Sequence, residues 1–392
     1  MYSLSLRRLF LYLLLVSLTF LLLAGCGLRR RPAGRPNQSL QPTQAPQPTT
    51  GGQAAAPESA VTPLSDELGV VVLDSPTAVC NDGSPAQYYL RQGQNNNWLV
   101  FLEGGGACFQ DADCRERERE QYNLTSSEQW DPSVSLDGLF SIDPERNPDF
   151  WNWNQIYVKY CSSDGWSGNR QSPDGRQFRG QAILEAVLTD LQNHHGNFGA
   201  GQGTDSTLIL AGCSAGGEGV LNNLDAVAAR FTNNFDDIRG INDAGWAVDV
   251  QPSYSPQSPS FYDLLGQGFD YWQGHVDADC LGALGDPAQC YFGATAYPFI
   301  TTPLFVQMHQ RDREQISTFH AGTERNADDF AGRVRASLEN VTAAFSPAAT
   351  NHCVTFNDKF WGAQGAEVDG YSMQEALSNW LHDREPIRLV AP

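Results

Sequence analysis

Ser214 stands in Gly212-Cys213-Ser214-Ala215-Gly216-Gly217, a fit to G-x-S-x-G. An apolar run, Thr207-Leu208-Ile209-Leu210-Ala211, precedes it, and a helical pattern from Val220 to Arg230 follows. A serine in such a strand–turn–helix setting is a candidate nucleophile. The turn is sharp, so its neighbours must be small. The following helix also directs its positive end toward a developing oxyanion. Taken alone, the motif fits equally a glycine-rich turn that only packs.

A second glycine run, Glu103-Gly104-Gly105-Gly106-Ala107, ends the apolar segment Trp98-Leu99-Val100-Phe101-Leu102. Esterases use such a run to present backbone N–H groups to an oxyanion. A phosphate loop would require Lys or Ser/Thr after the glycines, and none follows here. An oxyanion hole completed by the N–H of Ala215 is the better fit. Acyl transfer also requires a base and an acid that orients it, placed after the nucleophile with the His last. The later histidines are His275, His309, His320, His352 and His382. His352, in the polar stretch Ala349-Thr350-Asn351-His352-Cys353, has the late loop position of a base. Asp312, beyond the apolar run Pro303–Val306, and Asp243, in Ile241-Asn242-Asp243-Ala244-Gly245-Trp246, are the rival acids.

These residues need a scaffold that brings strand ends together. Val70–Leu73, Tyr88–Leu90 and Ile156–Tyr160 are short apolar runs of strand type. Residues 178–193 place Ile183, Leu184, Val187, Leu188 and Leu191 on one helical face. Strands alternating with helices predict an α/β domain of α/β-hydrolase type: a mainly parallel sheet with helices on both faces.

The chain has 392 residues, 41% of them hydrophobic, with 9 Trp, 13 Tyr and 20 Phe, enough for a large core. The net charge of −20 disfavours nucleic acid and anionic lipid as partners, and suits a soluble surface. At the N-terminus, Arg7 and Arg8 precede the apolar stretch Leu9–Leu23, which ends in Leu23-Ala24-Gly25-Cys26. About 15 apolar residues are too few for a spanning helix, which needs roughly 20. The expectation is a signal peptide over 1–25, with Cys26 as a bacterial lipobox cysteine that carries a lipid anchor. Residues 26–63 are rich in Pro, Gln, Thr, Gly and Ala and predict a flexible tether, with Arg29, Arg30, Arg31 and Arg35 near the headgroups. The folded domain is expected over 64–392, as a monomer on the outer side of a membrane. Beyond Cys26 the cysteines number eight, and an even count in an exported chain predicts disulfides. A zinc site is not expected, because Cys108 and Cys114 lack a second ligand cluster.

Several segments resemble the pectinacetylesterase/Notum family in that family's order: Phe101–Cys108 (FLEGGGAC), Tyr160–Gly168 (YCSSDGWSG), Phe178-Arg179-Gly180, Gly212–Gly217 (GCSAGG), Asp243–Gly245 and Asn351-His352-Cys353. The resemblance implies a Ser214–Asp312–His352 triad. Asp312 is placed by Asp312-Arg313-Glu314-Gln315-Ile316, similar to the family's acid motif. It also implies oxyanion donors at Gly105, Gly106 and Ala215, with no metal or organic cofactor. Where the family commonly has Trp beside the oxyanion hole, this chain has Ala107. Trp166 and Trp246 are the candidate replacement walls of the substrate pocket, and Asp243 is a further candidate there. By the family analogy the substrate is an O-acetylated polysaccharide such as pectin. The alternatives are a longer fatty-acyl ester on a protein, or a non-catalytic cell-surface binding protein. A working triad brings Ser214 and His352 together, and with them their neighbours Cys213 and Cys353, which predicts a bridge across the site. Cys108–Cys114 and Cys280–Cys290 are then local pairs, leaving Cys80–Cys161.

Overall fold

The structure is a computed structural model that describes residues 63–199, 201–249, 259–319 and 327–392. The expected signal peptide, Cys26 and nearly all of the tether lie outside the described residues. Among those described, no helix is long and apolar enough to cross a membrane.

The strands are β1 (Leu68–Val72), β2 (Gln87–Arg91), β3 (Trp98–Leu102), β4 (Ser133–Val134), β5 (Asn154–Val158), β6 (Arg170–Gln171), β7 (Gln177–Phe178), β8 (Thr207–Cys213), β9 (Asp237–Asp243), β10 (Leu304–Gln307), β11 (Ala343–Ser346) and β12 (Arg388–Val390). The helices are α1 (Asp111–Glu120), α2 (Gly180–His194), α3 (Ala215–Phe231), α4 (Phe261–Trp272), α5 (Ala278–Leu284), α6 (Gly293–Ala296), α7 (Arg313–Phe319), α8 (Ala327–Ser337) and α9 (Met373–Leu381).

Ten strands form one sheet in the order β12-β11-β10-β9-β8-β3-β5-β2-β1-β4. From β12 to β5 every neighbouring pair is parallel; β2, β1 and β4 extend the sheet in antiparallel fashion. This is the expected α/β-hydrolase-like architecture. Strand side chains alternate between faces. Trp98, Val100 and Leu102 join a core with Ile183, Val187 and Leu191 of α2, Val220 and Leu224 of α3, and Phe330 and Val334 of α8. Leu99 and Phe101 join the opposite core with Met373, Leu377 and Trp380 of α9. Burial on both faces is why these strands read as continuous apolar runs. The parallel strands all end at one edge of the sheet, where α/β proteins gather ligand-binding loops.

All four expected disulfides are present: Cys80–Cys161, Cys108–Cys114, Cys213–Cys353 and Cys280–Cys290. Such a framework belongs to an oxidising compartment.

Candidate active site

Ser214 caps α3 at φ +55° and ψ −124°, a backbone conformation that L-residues rarely adopt. Such a residue costs on the order of 1–3 kcal/mol and persists only where its surroundings over-determine it. Here its N–H donates to the Asp243 carbonyl (2.8 Å), and its carbonyl accepts from the N–H of Glu218 (3.0 Å). The flanking glycines are steric necessities. A Cβ on Gly212 would lie 2.2 Å from the Gly216 carbonyl oxygen, and one on Gly216 would lie 2.0 Å from that of Leu102. Helix α3 begins at Ala215, earlier than the apolar pattern from Val220 indicates. Gly216 and Gly217, which read as turn, lie in its first turn, with the backbone of β3 against Gly216 and that of Gly245 against Gly217.

Gly105 and Gly106 follow β3 at φ +142° and +68°. They line the same cavity as Ser214, Ala215 and His352, a space of about 650 Å³. Arg117 of α1 is buried, and burial pushes its pKa below the ordinary arginine value. Each of its three guanidinium nitrogens nevertheless donates a bond, to Ser163 Oγ (2.8 Å), Gln121 Oε1 (2.7 Å) and the Gly105 carbonyl (2.6 Å).

His352 follows β11 on a loop zipped to residues 309–313. The N–H groups of Gln310, Arg311 and Arg313 donate to the carbonyls of Pro347, Ala349 and Thr350, and Asn351 N–H donates to His309 Nδ1 (2.9 Å). His309 is buried; burial and the proximity of His352 push its pKa down to about 4, so it stays neutral and accepts that bond. His352 Nδ1 lies 2.6 Å from Asp312 Oδ2. A carboxylate only accepts, so Nδ1 carries a proton and Nε2 is left free. Burial alone would lower the pKa of His352. The hydrogen bond and charge of Asp312, with Asp243 and Glu314 beyond, outweigh it and raise the imidazole above its ordinary value. Asp312 is wholly buried, and its other oxygen accepts from the N–H groups of Glu314 (2.9 Å) and Gln315 (3.1 Å) at the start of α7.

Asp243, the rival acid, is also wholly buried but does not line the cavity. Its Oδ2 accepts from Val354 N (2.8 Å), Thr355 N (2.8 Å) and Thr355 Oγ1 (2.7 Å). It grips the backbone just past His352, where the Cys213–Cys353 bridge, with 5.5 Å between Cα atoms, ties the same loop to the serine turn.

The expected aromatic walls need correction. Trp166 and Trp246 are wholly buried, with indole N–H groups donating to the Glu103 carbonyl and Ser337 Oγ, and neither lines the cavity. The apolar wall comes from Phe109, Phe261, Leu265, Trp272 and Phe356. The sequence does carry a signal for part of it: α4 has a strongly one-sided apolar face, and Phe109 directly follows a disulfide cysteine. Arg117, His309 and Glu218 were not singled out from the sequence, and each is an ordinary polar residue in its local context.

Relatives and solved structures identify the family and the fold that carry this site. The pectinacetylesterase family profile matches residues 64–331. The chain is 35% identical to the palmitoleoyl-protein carboxylesterase Notum of Drosophila melanogaster over 79% of its own length, and 32% identical to that of Homo sapiens over 82%. It spans 48% of the length of the fly protein and 68% of the human one. A crystal structure of the Wnt deacylase Notum from Drosophila superimposes with a TM-score of 0.77 at 33% identity, covering 83% of this chain and 96% of that one. The serine turn, the glycine loop and the His–Asp pair thus sit on a scaffold and a sequence background that this protein shares with its relatives, and the chain belongs to the pectinacetylesterase family.

Proposed function

We propose that this protein is a serine carboxylic-ester hydrolase with Ser214 as nucleophile, His352 as base and Asp312 as the acid that orients it. The observation that carries the reading is the half-buried His352–Asp312 hydrogen bond of 2.6 Å on the cavity that also holds Ser214 on its strained turn. In this reading Ser214 Oγ attacks the ester carbonyl while His352 Nε2 takes its proton. Asp312 keeps the imidazole in the required tautomer and stabilises its positive charge. The oxyanion accepts from the N–H groups of Gly105, Gly106 and Ala215, each donor being worth roughly 3 kcal/mol in comparable enzymes. A trans peptide points its C=O and N–H in opposite directions. Arg117, by holding the Gly105 carbonyl, therefore fixes the Gly106 N–H on the other side of that peptide. His352 returns the proton to the departing alcohol. Water, deprotonated by the same base, then cleaves the acyl-enzyme to free acid and restores Ser214.

We take the substrate to be a short acyl ester on a polysaccharide, as in a pectin acetylesterase. The apolar wall of Phe109, Phe261, Leu265 and Trp272 favours a second reading, a longer acyl chain such as the one named for the Notum relatives. An N-terminal lipid on Cys26 would hold the domain at a membrane, and Cys26→Ser should then release it to the soluble fraction. Membrane retention of that variant would reject the anchor.

Ser214→Ala removes one oxygen and should abolish both the burst of p-nitrophenol from an activated acetate and labelling by a fluorophosphonate, with the fold intact. Wild-type turnover by this variant would rule out Ser214 as the nucleophile.

A further inference from the structure

Three acids line this cavity, Glu103, Glu218 and the exposed Glu314, and Glu218 is the one set back from solvent that the mechanism leaves without a task. It lies four residues after Ser214, at the end of the first turn of α3, and its N–H donates to the Ser214 carbonyl. Both line the cavity. Its Oε2 runs beside Gly165, 3.2 Å from where a Cβ on that glycine would stand, so the absence of a side chain there makes room for the carboxyl. The neighbouring acids are occupied. Glu103 pairs with Lys159 and accepts from Tyr160 N–H, and Asp164 accepts from Ser162 Oγ, Trp166 N–H and Gly180 N–H. Among the described residues the Glu218 carboxyl has neither hydrogen bond nor ion pair. Burial outweighs the nearby His352 and pushes its pKa up to about 7.

A carboxyl in that position is left to bond whatever enters the cavity beside it. An apolar group seated against Glu218 would leave that half-buried acceptor desolvated and unpaired, which is costly. A site built around an acceptor for a substrate hydroxyl rejects analogues that lack it, often by large factors. We propose that Glu218 is a specificity-determining residue that accepts a hydrogen bond from a hydroxyl close to the scissile ester, so that the site selects hydroxylated esters over apolar ones. This deepens the hydrolase reading and rests on it. The hydroxyl has two possible sources: the acyl group itself, as in a hydroxy acid, or the alcohol, as in an O-acylated sugar.

The test compares kcat/KM of the full chain on two matched pairs. One pair is p-nitrophenyl hydroxyacetate against p-nitrophenyl acetate. The other is an acetylated methyl glycoside against cyclohexyl acetate. Wild type should favour the hydroxylated member of one pair by about tenfold or more. Glu218→Leu should collapse that ratio, and Glu218→Gln, which keeps an acceptor, should retain most of it. The responding pair identifies the source of the hydroxyl. Glu218→Ala, which also lacks an acceptor, serves the same comparison if the leucine variant fails to fold. Equal rates within both pairs in wild type, or a preference that survives the loss of the acceptor, would overturn the assignment. If hydrolysis still depends on Ser214 in that case, only the role of Glu218 falls; if no hydrolysis depends on Ser214, the hydrolase reading falls with it.

Discussion

Asp243 and Asp312 occupy equivalent ground. One ends β9 and the other lies just past the end of β10, its parallel neighbour. Both are wholly buried, and both reach the loop that carries His352. Asp312 meets the imidazole, with its second oxygen held by two N–H groups of α7. Asp243 spends one oxygen on three donors from Val354 and Thr355 and, among the described residues, leaves Oδ1 buried without a partner. One carboxylate faces the ring and the other faces the backbone behind it. Residue type and burial therefore do not fix a role; the direction in which the lone pairs point does.

That contrast can be broken by exchanging each acid for its amide. Asp312→Asn should lower kcat on an activated acetate by about 10⁴-fold, because the amide can stabilise the wrong tautomer. Its melting temperature should barely move, since Asn caps a helix about as well as Asp. Asp243→Asn should behave in the opposite way. Its three bonds become neutral ones, roughly half as strong, and its stability should drop by about 1–3 kcal/mol, read as a lower midpoint in urea. Its kcat should fall by less than about tenfold, because the His–Asp bond survives. The reverse ranking in kcat would transfer the orienting role to Asp243.

The smallest effect sharpens the comparison further. His352 must be neutral to act as a base, so kcat/KM should fall as pH drops through its pKa. That limb should lie above the ordinary imidazole value, because Asp312 and then Asp243 outweigh the burial that would lower it. Asp312→Asn leaves burial nearly unopposed and should move the limb to lower pH. Asp243→Asn removes only a charge at a distance and should move it the same way by less. A limb that shifts equally in both variants would mean that the two carboxylates act on the ring alike.

Much of this site was legible in the sequence wherever the demand is local. A sharp strand-to-helix turn requires small residues at Gly212 and Gly216, because backbone atoms stand 2.0–2.2 Å from where a Cβ would be. That requirement leaves a pattern within six residues. Strands buried on both faces leave apolar runs, and the proximity of Ser214 to His352 carries Cys213 to Cys353. What no local pattern supplies joins residues far apart in the chain: Asp312 to His352 across 40 positions, expected only from the family resemblance, and Asp243 to Thr355 across 112, which the tertiary structure alone decided. Strand order and side-chain direction set such contacts, and neither is encoded in a short stretch of chain. For the same reason Trp166 and Trp246, aromatic and close to the motifs, turned into the core, while α4 and Phe109 supplied the wall of the cavity. Sequence distance from a catalytic motif says nothing about which side of a strand end a ring will occupy; the packing of the layer above the sheet does.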